Sequence, residues 1–276
     1  MTVLENILYG LVSGVAEFLP VSARGHQALL RYLFGVSTRA SLQDLLVHIG
    51  VMLSILVACR ESIGRLYREQ RSSSRTRRKR ARPMDSKSYY DLRLLKTAAL
   101  PLLAGLLLYA STARLESSLL ALMGFLVVNG IVLLIAEHTR HGNRDSRTMS
   151  GLDGIAMGIA GAASVFPGIS RTGMISSYAA ARGADSQSAA NWAILLGIPA
   201  TLFAICYDAF LIFSGGIGAV SALLIVSNIL SGIAAFCGGY IGISVLRLIF
   251  AHSGLSQFAY YSFGAAMFTF ILYLLT

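Results

Sequence analysis

The stretch that decides the fold is GVAEFLPVSARG at residues 14–25, which recurs as GAASVFPGISRTG at residues 161–173. One residue inserted after the proline aligns the two copies. Each copy ends an apolar, glycine-rich segment, at residues 3–19 and 151–166, with Pro followed by Ser, Arg and Gly. Such interrupted segments are typical of re-entrant half-helices. The sequence therefore predicts two copies of one re-entrant helical hairpin.

Six further segments are long and apolar enough to cross a bilayer. The 276-residue chain is 55% hydrophobic and 13% charged, with a mean hydropathy of +0.66, which excludes a soluble domain of this length. A spanning helix needs about 20 mainly apolar residues. The predicted spans are residues 42–59, 92–110, 119–136, 188–213, 217–249 and 257–275.

Three predicted spans follow each hairpin, which divides the chain into two repeats. The first repeat is residues 1–140, with its hairpin at 3–36, and the second is residues 150–276, with its hairpin at 151–183. An odd number of crossings in each repeat predicts that the second is inverted relative to the first. The predicted fold is an all-α integral membrane protein, an inverted repeat of a re-entrant helical hairpin plus three transmembrane helices.

The net charge of +10 comes mostly from one run of Lys and Arg between Arg60 and Lys96. This run predicts a cytoplasmic loop at residues 60–91 that faces anionic lipid headgroups, rather than a surface for nucleic acid. Residues 137–150 and Arg247 add basic side chains on the same side of that topology. Both termini and the entry of the first hairpin are then expected on the outer side.

Ionisable side chains at membrane depth are costly, so each one is a functional candidate. Arg171 suits a phosphate, because a guanidinium binds phosphate oxygens in bidentate fashion. His26 is a candidate nucleophile or proton carrier. Glu17 is a candidate base, metal ligand or partner that orients the imidazole. The predicted catalytic residues are Glu17, His26 and Arg171.

Small and hydroxyl-bearing residues beside them are expected to bind the same phosphate. The turn at residues 167–173 opens a predicted helix whose free N–H groups favour anions. The predicted substrate-binding residues are Ser22, Arg24, Gly168, Ser170, Thr172 and Gly173. Glycine-rich breaks with Ser and Thr also occur where helices merely pack closely, and that alternative applies to the whole cluster.

The remaining polar residues of the apolar segments have less specific roles. Asp44 and His48 lie one turn apart on the first span, where they form either a wall of the site or a structural pair. Asp208 is expected to be structural or interfacial. Three arginines are expected to anchor the protein to headgroups: Arg31, Arg39 and Arg182.

The two hairpin motifs resemble those of a known family. EFLPVS at residues 17–22 with Gly25-His26, and PGISR at residues 167–171, look like undecaprenyl-pyrophosphate phosphatase of the BacA type, as does Asp44-x-x-x-His48-x-Gly50. The resemblance covers nearly the whole chain. It implies a multi-pass protein of the cell (inner) membrane, with a site open to the outer side. It also implies hydrolysis of undecaprenyl pyrophosphate to the monophosphate, which recycles the lipid carrier of cell-wall synthesis.

Several positions depart from the family pattern. Ser13 stands where the family usually has Glu or Gln, Ala23-Arg24 replace Ser-Thr, and residues 172–175 read Thr-Gly-Met-Ile instead of Ser-Gly-x-Thr. A serine nucleophile is therefore excluded at Ala23, which leaves His26, water or no reaction. A divalent cation such as Mg²⁺ or Ca²⁺ would bind Glu17. The change at Ser13 and the added charge of Arg24 instead predict that arginines replace the metal.

The sequence thus supports two hypotheses of different classes. In the first, a membrane phosphatase acts on a polyprenyl pyrophosphate that Arg171 and Arg24 hold by its diphosphate. In the second, a catalytically silent lipid-phosphate binder or flippase alternates its two repeats, as secondary transporters do. Both have a polyprenyl pyrophosphate and membrane lipids as partners and exclude nucleic acid. A homodimer is left open as the assembly.

Overall fold

A computed structural model describes residues 1–36, 41–76, 87–139, 142–215, 222–252 and 254–276, and the elements in these ranges are helices joined by turns. The twelve α-helices are α1 Val3–Phe18, α2 Ala23–Leu33, α3 Ser41–Ala58, α4 Arg60–Thr76, α5 Lys87–Leu106, α6 Leu119–Thr139, α7 Gly151–Ala162, α8 Arg171–Ala181, α9 Ser186–Leu195, α10 Gly197–Gly215, α11 Ala222–His252 and α12 Ser256–Leu275.

The two predicted hairpins are present as α1–α2 and α7–α8. Both begin with a capping box, Thr2 with Glu5 and Ser150 with Asp153, whose side chains satisfy the free N–H groups of the first turn. Since a helix rises about 1.5 Å per residue, α1 and α7 are about 24 and 18 Å long, shorter than the roughly 30 Å of hydrocarbon. Each helix is therefore too short to cross the hydrocarbon layer by itself, and the re-entrant placement of the hairpins stays a prediction.

In the part of the chain that the structure describes, five helices are long and apolar enough to span a membrane, and there are six if the pair Leu42–Ala58 and Arg60–Arg71, bent by 78°, is counted as one span. The protein is thus a multi-pass membrane protein of helical fold. Span 188–213 is broken between α9 and α10, and the start of span 217–249, at residues 217–221, lies outside the described residues.

The basic segment expected as a loop at residues 60–91 contains a helix. α4 occupies Arg60–Thr76 and α5 begins at Lys87, whereas residues 77–86 lie outside the described part. The prediction used only the charge of this segment, but Arg, Glu, Gln and Leu are also good helix formers. α4 turns away from α3 because the sequence changes from apolar to charged at Arg60.

The repeats interlock, since α1 of the first packs on α11 of the second and α7 of the second packs on α5 of the first. Small residues allow both approaches. A Cβ added at Gly10 would lie 2.0 Å from the carbonyl oxygen of Ser231, and one at Gly158 would lie 2.1 Å from that of Ala98. This exchange of partners fits two related repeats, and their inverted orientation stays a prediction.

Candidate functional site

The turns of the two hairpins are joined directly by hydrogen bonds. Ser22 Oγ accepts from the N–H of Gly168 at 3.0 Å and Ser170 Oγ donates to the carbonyl of Leu19 at 3.2 Å. Each serine also caps its own helix, accepting from Gly25 and Gly173 respectively, both at 3.1 Å. The predicted convergence of the two motifs is therefore present in the structure.

Three of the predicted substrate-binding residues serve this junction rather than the cavity described below. Ser22, whose φ is +66°, accepts hydrogen bonds at Oγ from two N–H groups. Thr172 Oγ1 donates to the carbonyl of Glu17 at 3.1 Å. Gly168 has φ +109°, and a Cβ there would lie 2.8 Å from Cβ of Phe125. Only glycine fits that position.

Asn129 of α6 ties both turns together and was missed by the sequence analysis. Its Nδ2 donates to the carbonyl of Pro20 and to Ser262 Oγ, both at 3.0 Å, and its Oδ1 accepts from the N–H of Ser170 at 2.9 Å. The available signal was one amide in the middle of an apolar 21-residue helix, because such a group needs partners in a membrane.

Arg171 and Glu17 form an ion pair at the junction of the hairpins. Arg171 Nη2 donates to Glu17 Oε1 at 3.0 Å, and its Nη1 donates to the carbonyl of Ala193 at 3.1 Å, in the last turn of α9. The side chains are 6% and 19% exposed. The break between α9 and α10 makes room for the guanidinium, since a Cβ at Gly197 would lie 3.1 Å from Nη2.

This ion pair borders a cavity of about 80 Å³ between α1, α2, α8 and α10. Among the side chains predicted for the site, five line it: Glu17, Arg24, His48, Ser170 and Arg171. Gln27 and Thr201, which the sequence analysis missed, line it as well. Thr201 is 2% exposed, and its Oγ1 has no hydrogen-bond partner within the described residues. A buried hydroxyl without a partner is available to a ligand.

Arg24 does not offer its charge to the cavity as predicted. Its guanidinium is paired with Glu116, donates to Thr112 Oγ1 at 2.8 Å and to the carbonyl of Val165, and lies 3.9 Å from the ring centroid of Tyr109. Four of its five N–H groups donate hydrogen bonds to Glu116, Thr112, Val165 and the Tyr109 carbonyl. Arg24 therefore forms a wall of the cavity, neutralised by Glu116.

His26 lies outside this cavity. Its Nδ1 is 2.8 Å from the carbonyl oxygen of Ser22, its Nε2 is 2.6 Å from Tyr261 Oη, and its ring stacks on that of Tyr261. It lines a separate apolar groove with Leu29 and Phe268. The expected meeting of His26 with Arg171 does not occur, because successive residues of α2 project in different directions and Gln27 faces the cavity instead.

Asp44 and His48 have different roles. Asp44 accepts hydrogen bonds from Tyr9 at 2.7 Å and from Arg31 at 3.0 Å, which makes it structural. His48 lines the cavity, and its Nδ1 lies 2.6 Å from Oδ2 of Asp208, 160 residues away.

The three arginines expected as headgroup anchors behave differently from one another. The anchor role is wrong for Arg31, which is buried and paired with Asp44 and with Glu116 at 3.1 Å. Arg182 is half-exposed and pairs with Asp153 at 2.6 Å. Arg39 lies outside the described residues.

The donor set does not fit a divalent cation. Within the described ranges, no three His, Cys, Asp or Glu side chains are grouped so that they could hold a metal ion. Glu17 is the only carboxylate among the described residues that line the cavity, and it is already paired with Arg171. Ser13 is buried, brings no carboxylate and does not line the cavity.

Comparison with known proteins identifies the family of the chain. Residues 6–268 match the family described as bacitracin resistance protein BacA. A Carboxydothermus hydrogenoformans protein named undecaprenyl-diphosphatase is 29% identical over 95% of this chain and 94% of its own length. The Treponema denticola protein of that name is 28% identical, over 95% and 94%. Bacillus cereus undecaprenyl-diphosphatase 3 is 28% identical, over 96% and 95%. Since the family match covers nearly all of its 276 residues, the chain belongs to the bacitracin resistance protein BacA family.

Proposed function

We propose that the protein is a membrane phosphatase that hydrolyses undecaprenyl pyrophosphate, or a related polyprenyl pyrophosphate, to the monophosphate and inorganic phosphate. The observation that carries this proposal is the Arg171–Glu17 ion pair, which borders a small cavity where the two hairpins meet. A guanidinium and a carboxylate in one buried cavity provide an anion-binding group and a proton acceptor. The names of the relatives support the same substrate.

The size of the cavity indicates which part of the lipid enters it. Pockets for drug-sized ligands measure roughly 300–1,000 Å³, whereas this cavity measures about 80 Å³. It accommodates a phosphate group and not a polyprenyl chain. The chain of the lipid then stays in the bilayer, and specificity for the diphosphate resides in the cavity.

Arg171 binds the terminal phosphate in this mechanism. Its guanidinium is held by the Ala193 carbonyl, so it is oriented before the substrate arrives. The N-terminus of α8, which Ser170 caps, favours an anion at the same place. Thr201 Oγ1 contributes a further hydrogen bond. Charge that develops on the phosphate is neutralised by Arg171, and no step involves a metal ion.

Water is the nucleophile in this proposal. Ala23 has no hydroxyl, and His26 is bound to Ser22 and Tyr261 outside the cavity. Glu17 exchanges its bond to Arg171 for one to the attacking water and accepts its proton. The bond from the terminal phosphorus to the bridging oxygen then breaks, which forms inorganic phosphate and leaves the bridging oxygen on the lipid monophosphate.

The protein lies in the cell membrane in this proposal, with the site open to the outer side, as the basic residues of α4 and of residues 142–150 indicate by the positive-inside rule. The first hairpin then enters the membrane from outside.

Purified protein in detergent, given undecaprenyl pyrophosphate, tests the activity by release of inorganic phosphate. The same preparation in liposomes is assayed for counterflow of the lipid phosphate. Phosphate release without counterflow supports the phosphatase. Counterflow without phosphate release would contradict it and favour the flippase. Arg171→Gln should abolish release, whereas Arg182→Gln, at a half-exposed ion pair remote from the cavity, serves as the control.

A further inference from the structure

His48 is a titratable residue of the cavity that takes no part in the hydrolysis as proposed so far. It lies on α3, is 8% exposed, and lines the cavity together with Glu17 and Arg171. Its Nδ1 is 2.6 Å from Oδ2 of Asp208 on α10, a residue that is 2% exposed. The two side chains come from positions 160 residues apart, so the pair exists only in the folded protein.

The burial of Asp208 decides the protonation of its partner. A buried carboxylate is tolerated when a cation is paired with it, and His48 is the described residue that bonds to Asp208. In the ion-paired state Nδ1 carries a hydrogen and the ring is an imidazolium. Nε2 then carries the second hydrogen and has no partner within the described residues. It is the ring atom available to a ligand in the cavity.

We propose that His48, oriented by Asp208, is the general acid of the reaction. This inference rests on the proposed phosphatase function. His48 Nε2 donates its hydrogen to the oxygen that bridges the two phosphorus atoms. When water attacks the terminal phosphorus, the bond from that phosphorus to the bridging oxygen breaks, and the Nε2 proton moves to that oxygen on the lipid monophosphate. The attacking water loses its proton to Glu17, and both residues return to their starting states by exchange with solvent. His48 is thus a catalytic residue and Asp208 a positioning residue.

The other charges around His48 are already compensated. Asp44 is paired with Arg31, Glu17 with Arg171, and Arg24 with Glu116. Among the described residues, Glu17, Arg24 and Arg171 are the charged side chains that line the cavity beside His48, and Asp208 bonds to its ring. The protonation of His48 is therefore governed by its bond to Asp208.

The experiment compares pH profiles of kcat/KM for wild type, His48→Gln and Asp208→Asn, with His138→Gln at an exposed position of α6 as control. Wild-type activity should fall as pH rises and the imidazolium loses its proton. His48→Gln should lose about 10²-fold or more in kcat at neutral pH and show no such descending limb. Asp208→Asn removes the carboxylate that stabilises the imidazolium, so its descending limb should move to lower pH.

A binding measurement separates this inference from the proposed function. Undecaprenyl monophosphate, the lipid product, keeps the oxygen that receives the proton from His48. It has no diphosphate bond to hydrolyse, so its binding can be measured without turnover. Its affinity should weaken with rising pH more steeply in wild type than in His48→Gln. A descending limb of kcat/KM retained in a folded, active His48→Gln would overturn the general acid. Absence of phosphate release by the wild type would refute the proposed function and, with it, the proton transfer. If the affinity for undecaprenyl monophosphate depended on pH equally in wild type and His48→Gln, His48 would not be a hydrogen-bond donor to the ligand.

Discussion

Arg171 and Glu17 are 154 positions apart in the chain, yet Nη2 of Arg171 donates a 3.0 Å hydrogen bond to Oε1 of Glu17. The bond joins the last turn of α1 to the first residue of α8. Because each residue belongs to a different hairpin, the pair depends on both repeats. The site is therefore a product of the interlocked fold and not of either half alone.

Substitutions at Arg171 and Glu17 are expected to have non-additive effects on the free energy of unfolding. Arg171→Gln and Glu17→Gln each leave one charge without its partner, at a cost on the order of 3 kcal/mol in unfolding free energy. The double variant should lose less than the sum of the two. Unfolding in detergent measures this cycle, and Arg182→Gln, at a solvent-screened ion pair, should change the unfolding free energy little. Additive losses would show that the two side chains do not interact.

Gly168→Ala should disrupt the junction of the hairpins. The position has φ +109°, and a Cβ would lie 2.8 Å from Cβ of Phe125, so we expect a loss of about 1–3 kcal/mol from backbone strain alone. The matched control is Gly124→Ala on α6, next to Phe125, where a Cβ has no neighbour within 4 Å among the described residues. Equal unfolding temperatures for the two variants would contradict the geometry of the turn.

His26→Gln should retain most of the turnover, because His26 faces an apolar groove and bonds to Ser22 and Tyr261. We expect a loss of less than about tenfold in kcat, against the roughly 10²–10⁴-fold loss for a group that transfers the proton. Steady-state phosphate release measures it. A loss of about 10²-fold or more in kcat, with an unchanged unfolding temperature, would show that His26 takes part in the reaction.

The topology predicts that α4 is cytoplasmic and the C-terminus is outside. In a background without native cysteines, Arg68→Cys on α4 should be inaccessible to an impermeant thiol reagent in intact cells, and Thr276→Cys should be labelled. Both should react after the cells are opened. Labelling of position 68 in intact cells would reverse the orientation, and with it the side on which the site opens.

The hairpins and most spans were predictable because their signals are local. Proline, glycine and serine at fixed positions interrupt an apolar segment, and the repetition of that pattern showed that residues near positions 22 and 170 would meet. The break between α9 and α10 carries a similar signal, Gly197 and Pro199 within an apolar segment, which the sequence analysis did not use. Gly197 makes room there for Arg171.

The functions of single polar residues were less predictable, because they depend on how each helix is rotated about its axis. Successive residues of a helix project about 100° apart, so Gln27 faces the cavity while His26 faces the groove. Similarly, Asp208 contacts His48, which lies 160 positions away in the sequence. No spacing in the sequence links those two residues. Packing between the helices determines both arrangements.

The most direct test of the central claim is phosphate release from undecaprenyl pyrophosphate by purified wild type in the presence of a chelator, beside Arg171→Gln and direct lipid binding for both. Since Arg171 supplies the charge and the described cavity has no metal-ligand cluster, we expect full wild-type turnover in chelator. Arg171→Gln should lose about 10³-fold or more in kcat/KM, on the scale of removing a group that stabilises transition-state charge. Loss of all wild-type activity in chelator, or unchanged turnover in Arg171→Gln, would contradict the account.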